Sequence, residues 1–457
     1  MLEFMQLSSL VTPLGGELQQ GDARFSRVST DTRSLQAGEL FVALSGPSFD
    51  GNQFVAKAAE KGAVGAIVSR LQPVALPQLV VADTLQALGQ LGALRREAFN
   101  GPVVAITGSS GKTSVKEMLA AILRTQGETL ATRGNLNNAI GAPLTLLELT
   151  PAHRYAVIEL GASGAGEIAY TVGLARPEVA VLNNAGGAHL EGFGSLEGVV
   201  RAKGEIFDGV KPGGTGVVNL DDANAEVWLR QLKGRPHLTF SLVSAHADLF
   251  ASHLEQRPGG AFEFVLNTHR GQVGVQLQVL GHHAVANALA AAAAAQALGV
   301  ELDAIREGLE SFTGVSGRLA SYRAQQGARV IDDSYNANPD SVRAALEVLA
   351  AQPGQRFLVL GDMAELGAER AALHAEVGRR AAEAGIDGLL ATGPLGAESV
   401  RAFAAEGGAQ GHAFADKAAL LAWLSPRLSE ESVILVKGSR SAGMETVVEA
   451  LRLKENR

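Results

Sequence analysis

Residues 102–106 form a short apolar run, Pro102-Val103-Val104-Ala105-Ile106, and Thr107-Gly108-Ser109-Ser110-Gly111-Lys112-Thr113-Ser114 follows it directly, ahead of a helical stretch. A run of that length suits a buried parallel strand. Strand, glycine-rich loop and helix in that order commit the surrounding chain to a layered α/β fold, because parallel strands need crossover helices on their faces. In such a loop the glycines let backbone N–H groups curl around phosphate oxygens, and the helix N-terminus adds partial positive charge. Lys112 would reach the β- and γ-phosphates, and the Thr113 hydroxyl suits Mg²⁺. The longer form of this motif has a glycine five residues before Gly111, where this chain has Ile106. The shorter Gly-x-x-Gly-Lys-Thr form takes its specificity from the strand–loop–helix context. Nucleotide binding by Gly108, Ser109, Ser110, Gly111, Lys112 and Thr113 is the expectation, over an ordinary glycine-rich turn.

The same alternation organises the rest of the chain, and 457 residues is too long for one ordinary core. Before residue 85, Leu40-Phe41-Val42-Ala43-Leu44, Val64-Gly65-Ala66-Ile67-Val68 and Leu79-Val80-Val81 read as strands, with a helix over 54–61. A helix over 84–99 leads into the phosphate-loop strand. Residues 155–158 and 178–182 read as further strands and 195–210 as a helix, whereas 262–280 alternates like an antiparallel ribbon. Beyond Gly317, strands are predicted at 330–331, 357–360, 388–391 and 433–436, separated by helices. Three α/β domains follow: 1–84, a small one; 85–315, a central phosphate-loop parallel sheet with helices on both faces; and 316–457, a Rossmann-like one.

Composition removes several classes. A formal charge of −8 argues against a general nucleic-acid binder, which usually presents a basic face. With no cysteine there are no disulfides, zinc–thiolate sites or thiol nucleophiles. Neither a signal peptide nor an integral membrane segment is visible, the longest apolar run being Ala288 to Ala295. A cytoplasmic protein is expected.

Three further segments carry chemistry. Glu159 ends the run Tyr155-Ala156-Val157-Ile158-Glu159, and a carboxylate at the C-terminal edge of a parallel strand sits where such sheets bind ligands. His189 lies in the glycine-rich stretch Asn183-Asn184-Ala185-Gly186-Gly187-Ala188-His189, and Lys203 in Ala202-Lys203-Gly204-Glu205. Taken singly, each reads as an ordinary solvated polar residue.

In order and spacing, however, the phosphate loop, Glu159, His189 and Lys203 resemble the Mur ligases, which build the peptide stem of bacterial cell-wall precursors. The resemblance implies ATP and two Mg²⁺ ions as cofactors. Thr113, Glu159 and His189 would hold metal together with Lys203, typically carbamylated in the family, so that a cation becomes an anionic ligand. Asn135, Asn137 and Asn138 match the family's Asn-rich loop near the substrate's sugar and diphosphate. Asn287 would contact adenine, Arg318 would reach ATP phosphate and Asp333 would approach ribose. Ser29, Asp31 and Arg33 match the uridine-nucleotide-binding domain. Many relatives carry Asn-His where this chain has Ser163-Gly164, which leaves contacts at those two positions unassigned.

Asp332-Asp333-Ser334-Tyr335-Asn336-Ala337-Asn338-Pro339, Gly361-Asp362-Met363-Ala364-Glu365-Leu366-Gly367 and Val436-Lys437-Gly438-Ser439-Arg440-Ser441 resemble the branch that adds D-alanyl-D-alanine to UDP-N-acetylmuramoyl-tripeptide. Those two molecules are the implied partners, with no nucleic acid, and a monomer is expected. The implied reaction is acyl phosphate formation followed by amine attack. Catalysis would fall to Lys112, His189, Lys203 and Arg318, with Asn336, Asn338, Lys437 and Arg440 as candidates near the dipeptide. Two rivals remain open: a folylpolyglutamate synthase-like enzyme with the same ATP chemistry, and a phosphate-loop switch that makes no amide.

Overall fold

The structure, a computed structural model, describes residues 3–46, 48–186 and 190–453. Among the described residues three larger sheets, of nine, six and five strands, bear out the expected α/β fold class. In the central one, strands run Thr129–Ala131, Tyr155–Glu159, Val103–Thr107, Val179–Leu182, Thr215–Asn219, His237–Ser241 and Leu249–Gln256 across the sheet, all parallel. Ala261–Thr268 and Gly271–Leu280 extend it as an antiparallel ribbon, as their alternation predicts.

Both faces of the parallel part are covered, which is why its strands read as unbroken apolar runs. Val104, Ile106, Val157 and Val181 point to one face, under the helices Lys112–Arg124 and His282–Ala297. Val103, Ala105, Ile158 and Leu182 point to the other, under Gly141–Leu147, Glu167–Ala175 and Leu196–Gly204. Full burial of each such valine, leucine or isoleucine stabilises the sheet by about 1.5–3 kcal/mol. The alanine run 290–295 is entirely buried, and its small side chains let that helix lie close to the sheet. The helix predicted over 195–210 is shorter. It starts at an N-cap, Ser195, whose hydroxyl accepts from the Gly198 N–H at 3.1 Å, and tightens after Gly204 into the 3₁₀ turn Glu205–Phe207. At Gly204 a Cβ would fall 2.9 Å from Gln231 Oε1 and 3.3 Å from the Trp228 ring, so the close approach of the helix carrying both leaves no room for a side chain.

The C-terminal sheet has the order Ala320–Arg323, Arg329–Asp333, Ser432–Lys437, Gln355–Gly361, Gly388–Thr392, Gln410–Phe414, parallel except for its first strand. The N-terminal sheet has five short strands. The helix Thr84–Ala98 bridges it to the central domain: Leu88 and Leu91 belong to the N-terminal core, and Gly92 lies against Pro143. Among the described residues no helix is long and apolar enough to cross a membrane. The carboxyl ends of the central and C-terminal sheets face a common cleft, the position where open parallel sheets bind ligands.

Candidate active site

The phosphate loop leaves its strand at Thr107 and enters the helix Lys112–Arg124 through Gly111, whose φ is +77°. Only glycine fits there. A Cβ would fall 2.4 Å from Asn183 Nδ2 and 2.5 Å from Asn287 Oδ1, besides being strained. Lys112 is half-buried and its Nζ donates to the Gly108 carbonyl at 2.7 Å. Burial pushes its pKa down; the Glu159 charge opposes that shift and Arg318 adds to it.

Glu159 is only 2% exposed, so a solvated strand-end carboxylate is ruled out. Its Oε2 accepts from the Thr113 hydroxyl at 2.8 Å and its Oε1 from Asn137 Nδ2 at 2.8 Å. The Glu159 N–H donates to Thr132 Oγ1 at 2.9 Å, and the Thr132 carbonyl accepts from buried Lys116 at 2.5 Å. The hydroxyl and carboxylate present hard oxygen donors. Such a set fits Mg²⁺, which keeps several waters and is bound by one or two carboxylates plus substrate phosphates. Among the described residues no cluster of three His, Asp or Glu forms an all-protein metal cage. His189 lies outside the described residues.

Lys203 is 2% exposed, with its Nζ 5.3 Å from the Phe193 ring. Its pKa is lowered to about 7, first by burial and then by repulsion from Lys112, with Glu167 and Glu205 acting in the other direction. This is far from the solvated cation that the residue alone suggests.

The cleft comprises two adjoining spaces. One, of about 650 Å³, is lined by the phosphate loop, Asn135, Asn137, Asn138 and Glu159 on one side, and by Arg318, Tyr335, Glu365 and Arg440 on the other. The second, of about 330 Å³, runs past Asn183, Asn287, Asp333 and Lys437. Asn287 Oδ1 accepts from Asn183 Nδ2 at 3.0 Å. Arg318 stacks over the Tyr335 ring at 4.3 Å. Arg440 lies 5.9 Å from the same ring and pairs with Glu445 at 3.2 Å.

Several predicted residues are brought to the cleft but already have local work. Asn338 caps the helix Pro339–Ala350, its Oδ1 accepting from the Ser341 N–H at 2.8 Å. Asn138 Oδ1 accepts from the N–H groups of Ile140 and Gly141 at 3.1 and 2.9 Å. Asn336 Oδ1 accepts from the Ala337 N–H at 2.9 Å. Lys437 is buried and donates to Asp333 Oδ2 at 2.5 Å and to the Asn336 carbonyl at 3.0 Å. Burial raises the Asp333 pKa and the lysine opposes it. Lys437→Met leaves that carboxyl without its cation, and the expected loss is about 3 kcal/mol in chemical denaturation. Adding Asp333→Asn should recover part of it, since the two effects are coupled. A single variant as stable as the parent would remove the pair from the stability account.

Ser29, Asp31 and Arg33 stay together in the N-terminal domain and line neither space. There Arg33 donates to both Asp31 carboxylate oxygens, from Nε to Oδ1 at 3.0 Å and from Nη2 to Oδ2 at 2.7 Å, and Ser29 donates to the Asp31 carbonyl at 3.1 Å. Sequence reasoning passed over Asn183, Thr132, Lys116 and His283, a cleft residue whose pKa burial lowers to about 4. Asn183 and Thr132 meet their partners 104 and 27 positions away, and no local pattern marks either residue.

Comparison with known proteins agrees with this geometry. Residues 106–295 match the Mur ligase middle domain, 317–440 the "Mur ligase, glutamate ligase domain", and 24–96 the "Mur ligase family, catalytic domain". The chain is 50% identical, over 98% of both sequences, to the UDP-N-acetylmuramoyl-tripeptide–D-alanyl-D-alanine ligase of Escherichia coli. The crystal structure of MurF from Acinetobacter baumannii superposes with a TM-score of 0.91 at 40% identity, covering 98% of each chain. MurF ligase from Thermotoga maritima in complex with ADP gives a TM-score of 0.81 at 28% identity, over 93% of this chain and 96% of that one. With its phosphate loop, its three matched segments and half its residues shared with a full-length relative, this chain belongs to the Mur ligase family.

Proposed function

We infer that the enzyme joins UDP-N-acetylmuramoyl-tripeptide to D-alanyl-D-alanine with ATP as phosphoryl donor, giving the UDP-pentapeptide precursor of peptidoglycan, ADP and phosphate. The observation that carries this reading is the 50% identity, spanning 98% of both chains, with the Escherichia coli ligase of that name. Residues 1–84 would hold the uridine end through Ser29, Asp31 and Arg33, with Asn135, Asn137 and Asn138 near the sugar and diphosphate. Residues 85–315 would bind ATP through the phosphate loop and Asn287. Residues 316–457 would bring the dipeptide, and would contribute Arg318 to phosphate and Asp333 to ribose. In this reading the protein works in the cytoplasm as a monomer.

A tripeptide carboxylate oxygen attacks the γ-phosphorus and ADP leaves; the dipeptide amine then attacks the acyl carbon, loses a proton and expels phosphate. Such phosphoryl transfer is mostly positioning and charge neutralisation. Lys112 and Arg318 offer two cations on facing walls of the cleft. Thr113 and Glu159 would hold Mg²⁺, with His189 and a carbamylated Lys203 completing the set for two ions, and the metal would neutralise phosphate charge. Closure of the C-terminal domain over the cleft would keep water from the acyl phosphate.

The test is phosphate release with Mg-ATP, UDP-N-acetylmuramoyl-tripeptide and D-alanyl-D-alanine, each omitted in turn, with products weighed by mass spectrometry. Release requiring all three, with a UDP-pentapeptide mass, is the expected result. Release that ignores the dipeptide or the UDP-peptide would discard the substrate assignment, and release dependent on folate and glutamate would replace it.

A further inference from the structure

Asn183, just after the strand Val179–Leu182, is 3% exposed, and its side-chain Oδ1 is buried with no hydrogen-bond partner among the described residues. An acceptor left unpaired in that way is destabilising, so the amide is held there for its other half.

Both hydrogens of that half are engaged. Asn183 Nδ2 donates to the Ser110 carbonyl at 3.1 Å and to Asn287 Oδ1 at 3.0 Å. The Ser110 carbonyl belongs to the phosphate-loop backbone and can only accept. It therefore decides which way the Asn183 amide faces, since the reverse orientation would set Oδ1 against that carbonyl. The surrounding backbone holds Asn183 in place. Its N–H donates to the Thr107 carbonyl at 3.0 Å, and its own carbonyl accepts from Asn219 Nδ2 at 3.0 Å. Asn183 in turn decides for Asn287 by taking its oxygen. The NH2 on the other arm of that amide is then the group left to face the smaller space of the cleft, which Asn287 lines.

Ser109, Ser110 and Gly111 border both spaces, whereas Lys112 and Glu159 border only the larger. A triphosphate in the loop, with its transferring end at Lys112 and Glu159, leaves its nucleoside end in the smaller space. A carboxamide NH2 there pairs with an acceptor, and the acceptors of an adenine base are its ring nitrogens. We propose that Asn183 is a positioning residue for nucleotide selection: it locks the Asn287 amide with its NH2 toward the base, so that adenine is read by a ring nitrogen. The orientation is imposed from the Ser110 carbonyl, so the loop that wraps phosphate also sets the face shown to the base. This assignment rests on the ATP reading above and adds the class of atom by which the base is chosen.

The test assays ligation by the full chain with ATP and with 1-, 3- and 7-deaza-ATP, each of which carries C–H in place of one ring nitrogen. For the parent, kcat/KM should fall about tenfold with the analogue that lacks the nitrogen being read, because the amide NH2 then faces C–H. In Asn183→Asp the ionised carboxylate can only accept, so Asn287 turns its NH2 toward residue 183 and its oxygen toward the base. There kcat/KM for ATP should fall about tenfold while that for the same analogue stays within about threefold of the parent's, and the preference disappears. Asn183→Ala merely frees the amide and should give an intermediate preference. It carries the comparison if the aspartate variant melts too low to assay. A parent that uses all four nucleotides alike overturns the assignment, as does a folded variant that keeps the parent's preference while losing activity with every nucleotide. Calorimetry of the parent with ADP keeps the two readings apart. Absence of ADP binding removes the nucleotide site itself, whereas ADP binding with indifference to the analogues removes only the role of Asn183.

Discussion

Replacing Lys112 by alanine is expected to lower ATP-dependent turnover by about 100- to 1000-fold, roughly 3–4 kcal/mol, the range for losing one preorganised donor to a developing anion. The size follows from where the ammonium is held. Lys112 opens the helix after Gly111, and its Nζ donates to the Gly108 carbonyl at 2.7 Å, within the loop that would wrap the phosphates. Burial depresses its pKa and the Arg318 charge depresses it further, so the surroundings favour a neutral amine except for Glu159. A triphosphate in the loop would reverse that preference, because an adjacent anion favours the charged form. The alanine variant removes a desolvated cation but also takes the donor from the Gly108 carbonyl and a nearby positive charge from buried Glu159, so a modest loss of stability is expected beside the much larger loss of turnover. Single-turnover phosphate release together with a thermal melt separates the two effects. Turnover within tenfold of the parent would put the neutralising charge elsewhere.

What the sequence exposed of this fold depended on how each strand is covered. Val103–Thr107, Tyr155–Glu159, Gln355–Gly361 and Ser432–Lys437 are buried on both faces and stand out as apolar runs. Gln410–Phe414 is a half-buried edge strand of mixed residues, and nothing in its pattern separates it from a loop. Thr215–Asn219 and His237–Ser241 also went unread, although they carry the sheet from the phosphate-loop region out to the ribbon.

The site was legible for a different reason. Motif residues announce themselves by spacing, and the structure brings Thr113 to Glu159, 46 positions away, through one hydrogen bond. The partners that orient them have no such spacing. Asn183 meets Asn287 across 104 positions, and Thr132 fixes Glu159 through its backbone N–H, a contact that tertiary packing alone creates. The asparagines carry a second, local role that the sequence also signals. Asn338 stands before Pro339, a helix-start signal available from sequence, and its side-chain oxygen does cap that helix.

Lys203→Ala is expected to lower turnover by at least about 100-fold, with short carboxylates such as formate or acetate restoring part of it, because the residue's proposed contribution is an anionic ligand rather than a cation. The physical setting favours that chemistry. Lys203 lies on the helix Leu196–Gly204, 2% exposed, where a permanent ammonium would be poorly solvated. Its pKa is lowered to about 7, mainly by burial. Carbamylation needs the unprotonated amine. Near pH 7 about half of such a lysine is neutral, against roughly one in several thousand for an ordinary one. Because the folded-state value lies below the unfolded one, the folded chain binds fewer protons between about pH 7 and the usual lysine range. Burying the charge is therefore most unfavourable below pH 7, and stability rises with pH across that window. Adding CO₂ to the neutral amine, with loss of one proton, replaces the cation with a carbamate anion, the form a metal ligand needs. Parent activity should accordingly fall in carbonate-depleted buffer and return with bicarbonate, while ¹³C-bicarbonate should give a carbamate resonance that Lys203→Ala lacks. A Lys203→Ala enzyme with parental turnover, or an active parent without that resonance, would leave Lys203 as a buried amine with no part in holding metal.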